Sequence, residues 1–321
     1  MSVTLPWHHP DGITNAAALL VDFPQAFSAL EEVERFGHRL LIRMAQSGTV
    51  TKIDSMVGLA FARRALTQFV ALRHLLEHAA CEPAKLNLRA IFELNLAIRY
   101  LVHGARQPIT PKLVTSPRAR ETRARYLWIA DKRRTLYARQ AMLDGRWVSR
   151  VSKPADRKAL RAEIAENLTL LNTHFRTQQL RFGALRCLIK GRAKVYYDKQ
   201  QWYSFGFPRH PVNSIAALAR ALGEGGMYNA LYGALSGLAH AGSITHDFAV
   251  NQNTMQLDVH HPYLVDAFGL LCRTAVLYQS SNHLLLSKAY HPSSLSDAQA
   301  TFKLTSSQLA GLPSSPGDAF L

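Results

Sequence analysis

Apolar residues recur along this chain at spacings of three and four, and alternating β-branched runs bounded by turn residues barely occur. That period belongs to helices that bury one face. Phe27, Leu30, Val33, Phe36, Leu40 and Leu41 mark one side of a helix expected over about residues 24–45, stopped by Ser47-Gly48. A second helix is expected over about 54–80 and a third up to about 102, with Pro83 early in it and Pro108 and Pro111 closing the region. Ser116-Pro117 opens a fourth helix to about Leu143, where Asp144-Gly145 turns the chain. Lys153-Pro154 opens a fifth, to about Leu180. Shorter helices are expected at about 212–222 and 228–240, then loop with a short strand, then a last long helix at about 262–289. From His291 onward Ser, Pro and Gly predominate, which predicts a mobile tail. The pattern therefore predicts an all-α helical bundle: one domain over 1–290 and a flexible 291–321, with no internal repeat.

Two polar groupings interrupt the apolar pattern. The third helix is apolar nearly all round (Leu86, Leu88, Ile91, Phe92, Leu94, Leu96, Ile98, Leu101), as a buried helix is. Arg89 and Glu93 sit on it four residues apart, so both project from one face. On a buried helix that pair is either a structural clasp or the lining of a polar pocket. Farther on, Tyr228, Tyr232, Ser236 and His240 recur every fourth residue and make one polar stripe, with Gly233, Ala234, Gly237 and Ala239 beside it. Such a stripe is either a tight helix contact with its hydrogen bonds made in the core, or a site.

Charge sharpens the picture because it is segregated. The net charge is +16. Residues 1–105 hold 10 Lys/Arg against 9 Asp/Glu, residues 106–199 hold 23 against 7, and residues 200–321 hold 5 against 6. The middle therefore reads as a basic helical insertion into a near-neutral domain. Arg118, Arg120, Arg123, Arg125, Arg133 and Arg134 are spread around the fourth helix, with Tyr126, Trp128 and Tyr137 among them. Guanidinium forks match phosphate geometry and aromatic faces stack bases, so RNA or another polyanion is the expected partner. A solvated helical hairpin of arginine-rich composition is the plainer alternative. A membrane-surface role fits less well, since apolar and basic residues share every face.

Further chemistry is excluded more than indicated. Cys81, Cys187 and Cys272 lie far apart, without zinc spacing or a disulfide framework, and are expected to be reduced thiols. His246, Asp247, His260 and His261 fit no common metal motif, and no metal or cofactor is expected. There is no GxSxG, HExxH or phosphate-binding glycine loop. The N-terminus lacks a secretory pattern, and Asp266, Arg273 and Ser280–His283 break the longest apolar stretch, so no membrane span is expected and a cytoplasmic location is.

In order and spacing, the helix carrying Arg89, Glu93 and Tyr100, followed much later by Trp202 and then Tyr228, Tyr232, Ser236 and His240, resembles a bacterial all-helical family of unknown function. That family is distantly similar to the HEPN-like abortive-infection proteins. The resemblance spans roughly 25–285 and implies a metal-independent ribonuclease in phage defence or a toxin system, usually acting as a homodimer. HEPN relatives pair an Arg with a His four to six residues later. Here Ser236 stands four residues before His240, so the resemblance implies that Arg89 fills that role from another helix. The implied roles are His240 as acid/base, Arg89 as phosphate holder, Glu93 as its orienter, and Tyr232 and Ser236 as hydrogen-bonding neighbours. Two rival readings are a non-enzymatic helical scaffold that docks an acidic partner and a sensor of an anionic small molecule.

Overall fold

Pro24 opens a long helix over Pro24–Gln46. Its ring fixes a helical φ and its missing N–H falls where no intrahelical partner exists. The computed structural model describes residues 19–47, 52–104, 116–145, 153–181, 202–203, 212, 214–231, 248–251, 256–259, 264–310 and 312. Within them the helices are α1 (Pro24–Gln46), α2 (Ile53–Glu77), α3 (Cys81–His103), α4 (Pro117–Leu143), α5 (Pro154–Arg181), α6 (Ile215–Ala221), α7 (Leu264–Tyr290) and α8 (Leu295–Gln308), with further helical runs at 19–22 and 225–231. Two short strands, β1 (Phe248–Asn251) and β2 (Gln256–Val259), pair antiparallel with Phe248 opposite Val259 and Asn251 opposite Gln256. The class is all-α, and the hairpin is a local addition to it.

The chain divides into two compact units, one of residues 1–114 with 219–321 and one of residues 115–218. In the first, α7 packs against α1, α2, α3 and α8, so it is the axis of a bundle. Its neighbours bring their apolar stripes: Leu30, Val33 and Phe36 from α1, Phe69 and Leu72 from α2, and Ile91, Phe92 and Leu96 from α3 are all buried. Burying one such side chain contributes about 1.5–3 kcal/mol, which is why the stripes rather than helix propensity decide the packing. Two glycines permit close approach. A Cβ on Gly37 would lie 2.8 Å from Leu66 Cδ1 and 2.9 Å from His283 Nε2. On Gly58 it would meet the Tyr290 ring at 2.6 Å.

The turn from α2 to α3 runs through Ala79 at φ 55°. The Ala80 N–H donates to Leu75 O (2.8 Å) and the Ala79 N–H to Leu76 O (3.0 Å), a cap in which the left-handed position usually belongs to glycine. α2 therefore ends at Glu77, three residues short of the sequence expectation.

The mobile tail expected over 291–321 is corrected for residues 291–310, while residues 313–321 lie outside the described residues. Pro292–Ser294 make a 3-10 turn that leads into α8, and α8 packs on α1 and α7. Its buried face is Ala298, Thr301 and Thr305, small residues that fit a narrow gap between helices. Arg43 of α1 donates to Ser294 Oγ and to Asp297 Oδ2, each at 2.9 Å, which fixes the turn.

In residues 115–218, α4 packs on α5. The Ser116 hydroxyl caps α4 by accepting from the Ala119 N–H, and Gly145 at φ 68° follows its end. Ala124, Tyr126, Ile129 and Leu136 of α4, with Leu160 and Ile164 of α5, are buried.

Candidate functional site

Arg89 and Glu93 form the i,i+4 pair that their spacing predicts, with Arg89 Nε donating to Glu93 Oε1 at 3.1 Å. The expectation that they are buried is corrected: their side chains are 28% and 38% exposed. Among the described elements α3 packs chiefly on α2 and α7, and Leu86 on the same helix is also exposed. The pair is thus partly screened by solvent rather than fully buried. Tyr100, the aromatic of the same helix, is fully buried.

Of the second grouping, Tyr228 is half-buried on the helical run 225–231, and Tyr232, Ser236 and His240 lie outside the described residues. How that run begins is well defined. α6 ends in a turn at Gly223 (φ 80°), where the Glu224 N–H donates to Ala219 O at 2.7 Å. The Tyr228 N–H donates to Glu224 O at 2.9 Å, so Glu224 stands at the mouth of the run. Arg99 of α3 reaches this point: Nη1 pairs with Glu224 Oε1 and Nη2 donates to Leu222 O at 3.3 Å. The helix carrying Arg89 and Glu93 is thereby tied to the start of the segment carrying Tyr228. Tyr278 of α7 lies beside the pair, its ring edge-on to Phe92 of α3 at 5.1 Å. Burial first, then the Glu224 carboxylate, push its phenol above the usual tyrosine range, and Arg99 pulls the other way.

A second polar set was not anticipated from sequence. Asn95 Nδ2 donates to Asn282 Oδ1 (2.9 Å), Asn282 Nδ2 to Gln279 Oε1 (3.3 Å), and Gln279 Nε2 to His283 Nε2 (2.9 Å). All four residues are buried at the α3–α7 core. Burial lowers the His283 pKa to about 3, so the imidazole is neutral and accepts through Nε2. The signal for this ladder was present as the polar break Ser280–His283 in an apolar stretch.

The arginines expected to bind phosphate divide by burial. Arg118 and Arg134 are exposed, Arg125 pairs with Glu121, and the side chain of Arg133 is not described. Arg120 and Arg123 are buried, which corrects their placement on the binding surface, and Tyr126 is buried as well. A helix with basic residues all round must turn some of them inward when it packs on a neighbour. Lys153, Lys158 and Arg161 of α5 add exposed charge, Arg139 joins α4 to α5 by donating to Glu163 at 3.2 Å, and Lys132 sits 5.4 Å over the Trp128 ring.

Among the described residues no group of three metal-ligating side chains occurs, Cys81 and Cys272 are buried, and no helix is long and apolar enough to cross a membrane. Burial, then the nearby Cys81, raise the Cys272 pKa well above its usual value, which leaves that thiol protonated and unreactive.

Fold and site together define an all-α bundle protein that carries a separate, strongly basic helical unit. The chain belongs to the family of unknown function DUF5677, whose sequence profile matches residues 55–255. Neither a curated protein nor a solved structure matches it significantly.

Proposed function

We propose that this chain is a HEPN-like RNA-binding protein in which the basic unit holds the nucleic-acid backbone and the bundle carries a metal-independent ribonuclease site. The observation that carries the binding half is charge segregation by unit. Residues 115–218 hold 22 Lys/Arg against 7 Asp/Glu, and they fold as a compact unit with Arg118, Arg134, Lys153, Lys158 and Arg161 exposed. Supporting the hydrolytic half are the accessible Arg89–Glu93 pair and the tie from α3 to the segment that opens with Tyr228. Arg89 would hold a phosphate, Glu93 orients it through the Nε contact, and His240 moves the proton, with Tyr232 and Ser236 as neighbours. A role in phage defence or a toxin system follows from the HEPN likeness.

The test is incubation of the purified protein and its His240→Ala variant with mixed RNA, without added metal, beside binding measurements at about 50 and 200 mM salt. Binding that weakens steeply with salt, and cleavage lost in a folded His240→Ala variant, are the expected results. Salt-insensitive binding, or none, overturns the backbone-contact reading in favour of a scaffold for another partner. Unfolding of His240→Ala assigns that histidine to the core.

A further inference from the structure

We propose that the cleft between α1 and α2 is a binding site for a small organic monoanion, a carboxylate carried on an apolar chain. The site shares no residue with the RNA reading above and does not depend on it.

α1 and α2 pack on each other, and Gly37 lets them approach: a Cβ there would lie 2.8 Å from Leu66 Cδ1. Beside this contact the two helices leave a cavity of about 330 Å³, lined by His38 and Leu41 of α1 and by Arg63, Leu66, Thr67 and Val70 of α2. Small-ligand sites run from about 300 to 1,000 Å³, so the cleft is of a size for a small molecule. Positions 38 and 41, and positions 63, 66, 67 and 70, follow helical spacing, so each helix offers one continuous face. Leu66 is buried and Leu41 and Val70 are half-buried, which makes the floor apolar. His38, Arg63 and Thr67 are exposed and form the rim.

The rim sets the sign of the ligand's charge. It carries nitrogen-bearing side chains from both helices and no carboxylate. Other cations on these helices are already matched: Arg35 and Arg39 pair with Glu32 at 2.8 and 3.4 Å, and Arg73 pairs with Glu34 at 2.6 Å. His38 stands 3.6 Å from the same Glu34. Arg63 has no carboxylate partner among the described residues. The Thr67 hydroxyl donates to Arg63 O at 3.0 Å, so its one proton is used and recognition of an anion falls to the guanidinium. A lone surface arginine is ordinarily just solvated. Here an apolar floor lies beside it, and a guanidinium fork matches a carboxylate. One unmatched cation on the lining suits a monoanion rather than a nucleotide with several charges.

Titration calorimetry on the full chain with sodium octanoate, octanol and sodium butyrate tests the site. Octanoate should bind saturably, one per chain. Octanol, which lacks the charge, should bind about tenfold more weakly, and butyrate, which lacks most of the apolar chain, about tenfold or more. Arg63→Gln should weaken octanoate about tenfold, and so should Thr67→Glu, which sets a carboxylate at the rim one turn from Arg63. Arg64→Gln removes an exposed charge one residue away, off the lining, and should leave the octanoate affinity unchanged. Both rim positions are exposed, and thermal unfolding without ligand checks that the variants fold.

No saturable binding of octanoate overturns the proposal. So does octanol binding as tightly as octanoate, or an equal loss in Arg64→Gln and Arg63→Gln, which would mark general attraction to a basic chain. Should Arg63→Gln fail to fold, Thr67→Glu decides by the same criterion. A dimer in sedimentation that Thr67→Glu dissociates would assign the cleft to a second copy of this chain and overturn the small-ligand site.

Discussion

His283 shows what one buried residue can require of its neighbours. Its Nε2 accepts from Gln279, the Gln279 carbonyl oxygen accepts from Asn282, and the Asn282 oxygen accepts from Asn95, so the amide directions along the ladder are set by a neutral imidazole. The unfolded histidine titrates near pH 6.5 and the folded one near 3, because burial disfavours the charged form. Between those values the unfolded chain binds more protons. Stability from this group is complete above pH 6.5 and declines as pH falls, at up to about 1.4 kcal/mol per pH unit. Urea unfolding followed from pH 7.5 to 5 should show that slope, and His283→Gln should flatten it. Gly37 belongs to the same neighbourhood. Gly37→Ala places a methyl 2.9 Å from His283 Nε2 and 2.8 Å from Leu66 Cδ1. Overpacking of this kind costs about 1–3 kcal/mol, to be read as a lowered urea midpoint with unchanged slope.

At the level of elements, the least expected is α8. It covers α1 and α7 through Ala298, Thr301 and Thr305, and Arg273 of α7 donates to Leu312 O at 3.0 Å just beyond it. A chain ending after Tyr290 should therefore lose several kcal/mol or fail to accumulate as folded protein, as judged by thermal unfolding. The α2–α3 turn gives a test of opposite sign. Ala79 holds φ 55°, a conformation that costs an alanine about 1 kcal/mol relative to glycine. Ala79→Gly should raise stability by up to that amount, and a neutral or negative result in thermal unfolding would count against the turn geometry.

On the scale of the molecule, charge and core are assigned to different units. Arg118→Gln, Lys158→Gln and Arg161→Gln combined remove exposed charge from residues 115–218, and each belongs to a different unit from the bundle ladder. RNA affinity should fall and the salt slope should decrease by about one for each phosphate contact removed. The bundle's unfolding, followed at its own pH-sensitive core, should stay unchanged. An equal loss of affinity at all salt concentrations would move the contact away from these residues.

The helices themselves were legible in the sequence, because what makes them is local. Apolar spacing, Pro24, Pro117 and Pro154 at helix starts, the Ser116 cap and the Asp144-Gly145 stop all act within a few residues. The charge segregation was legible for the same reason, since it is a property of the chain before it folds. Burial was not. Arg120 and Arg123 turn inward, while Arg89 and Glu93 stay half-open on a helix apolar enough to look buried, because which flank is covered depends on the neighbours a helix meets. α8 was missed because its packing face is alanine and threonine, too small and too polar to register as an apolar stripe. The pairing of Arg99 with Glu224 spans 125 residues, and only the tertiary structure decides it. Local sequence selects the conformation of a segment, but the partner of a side chain is chosen when distant segments pack.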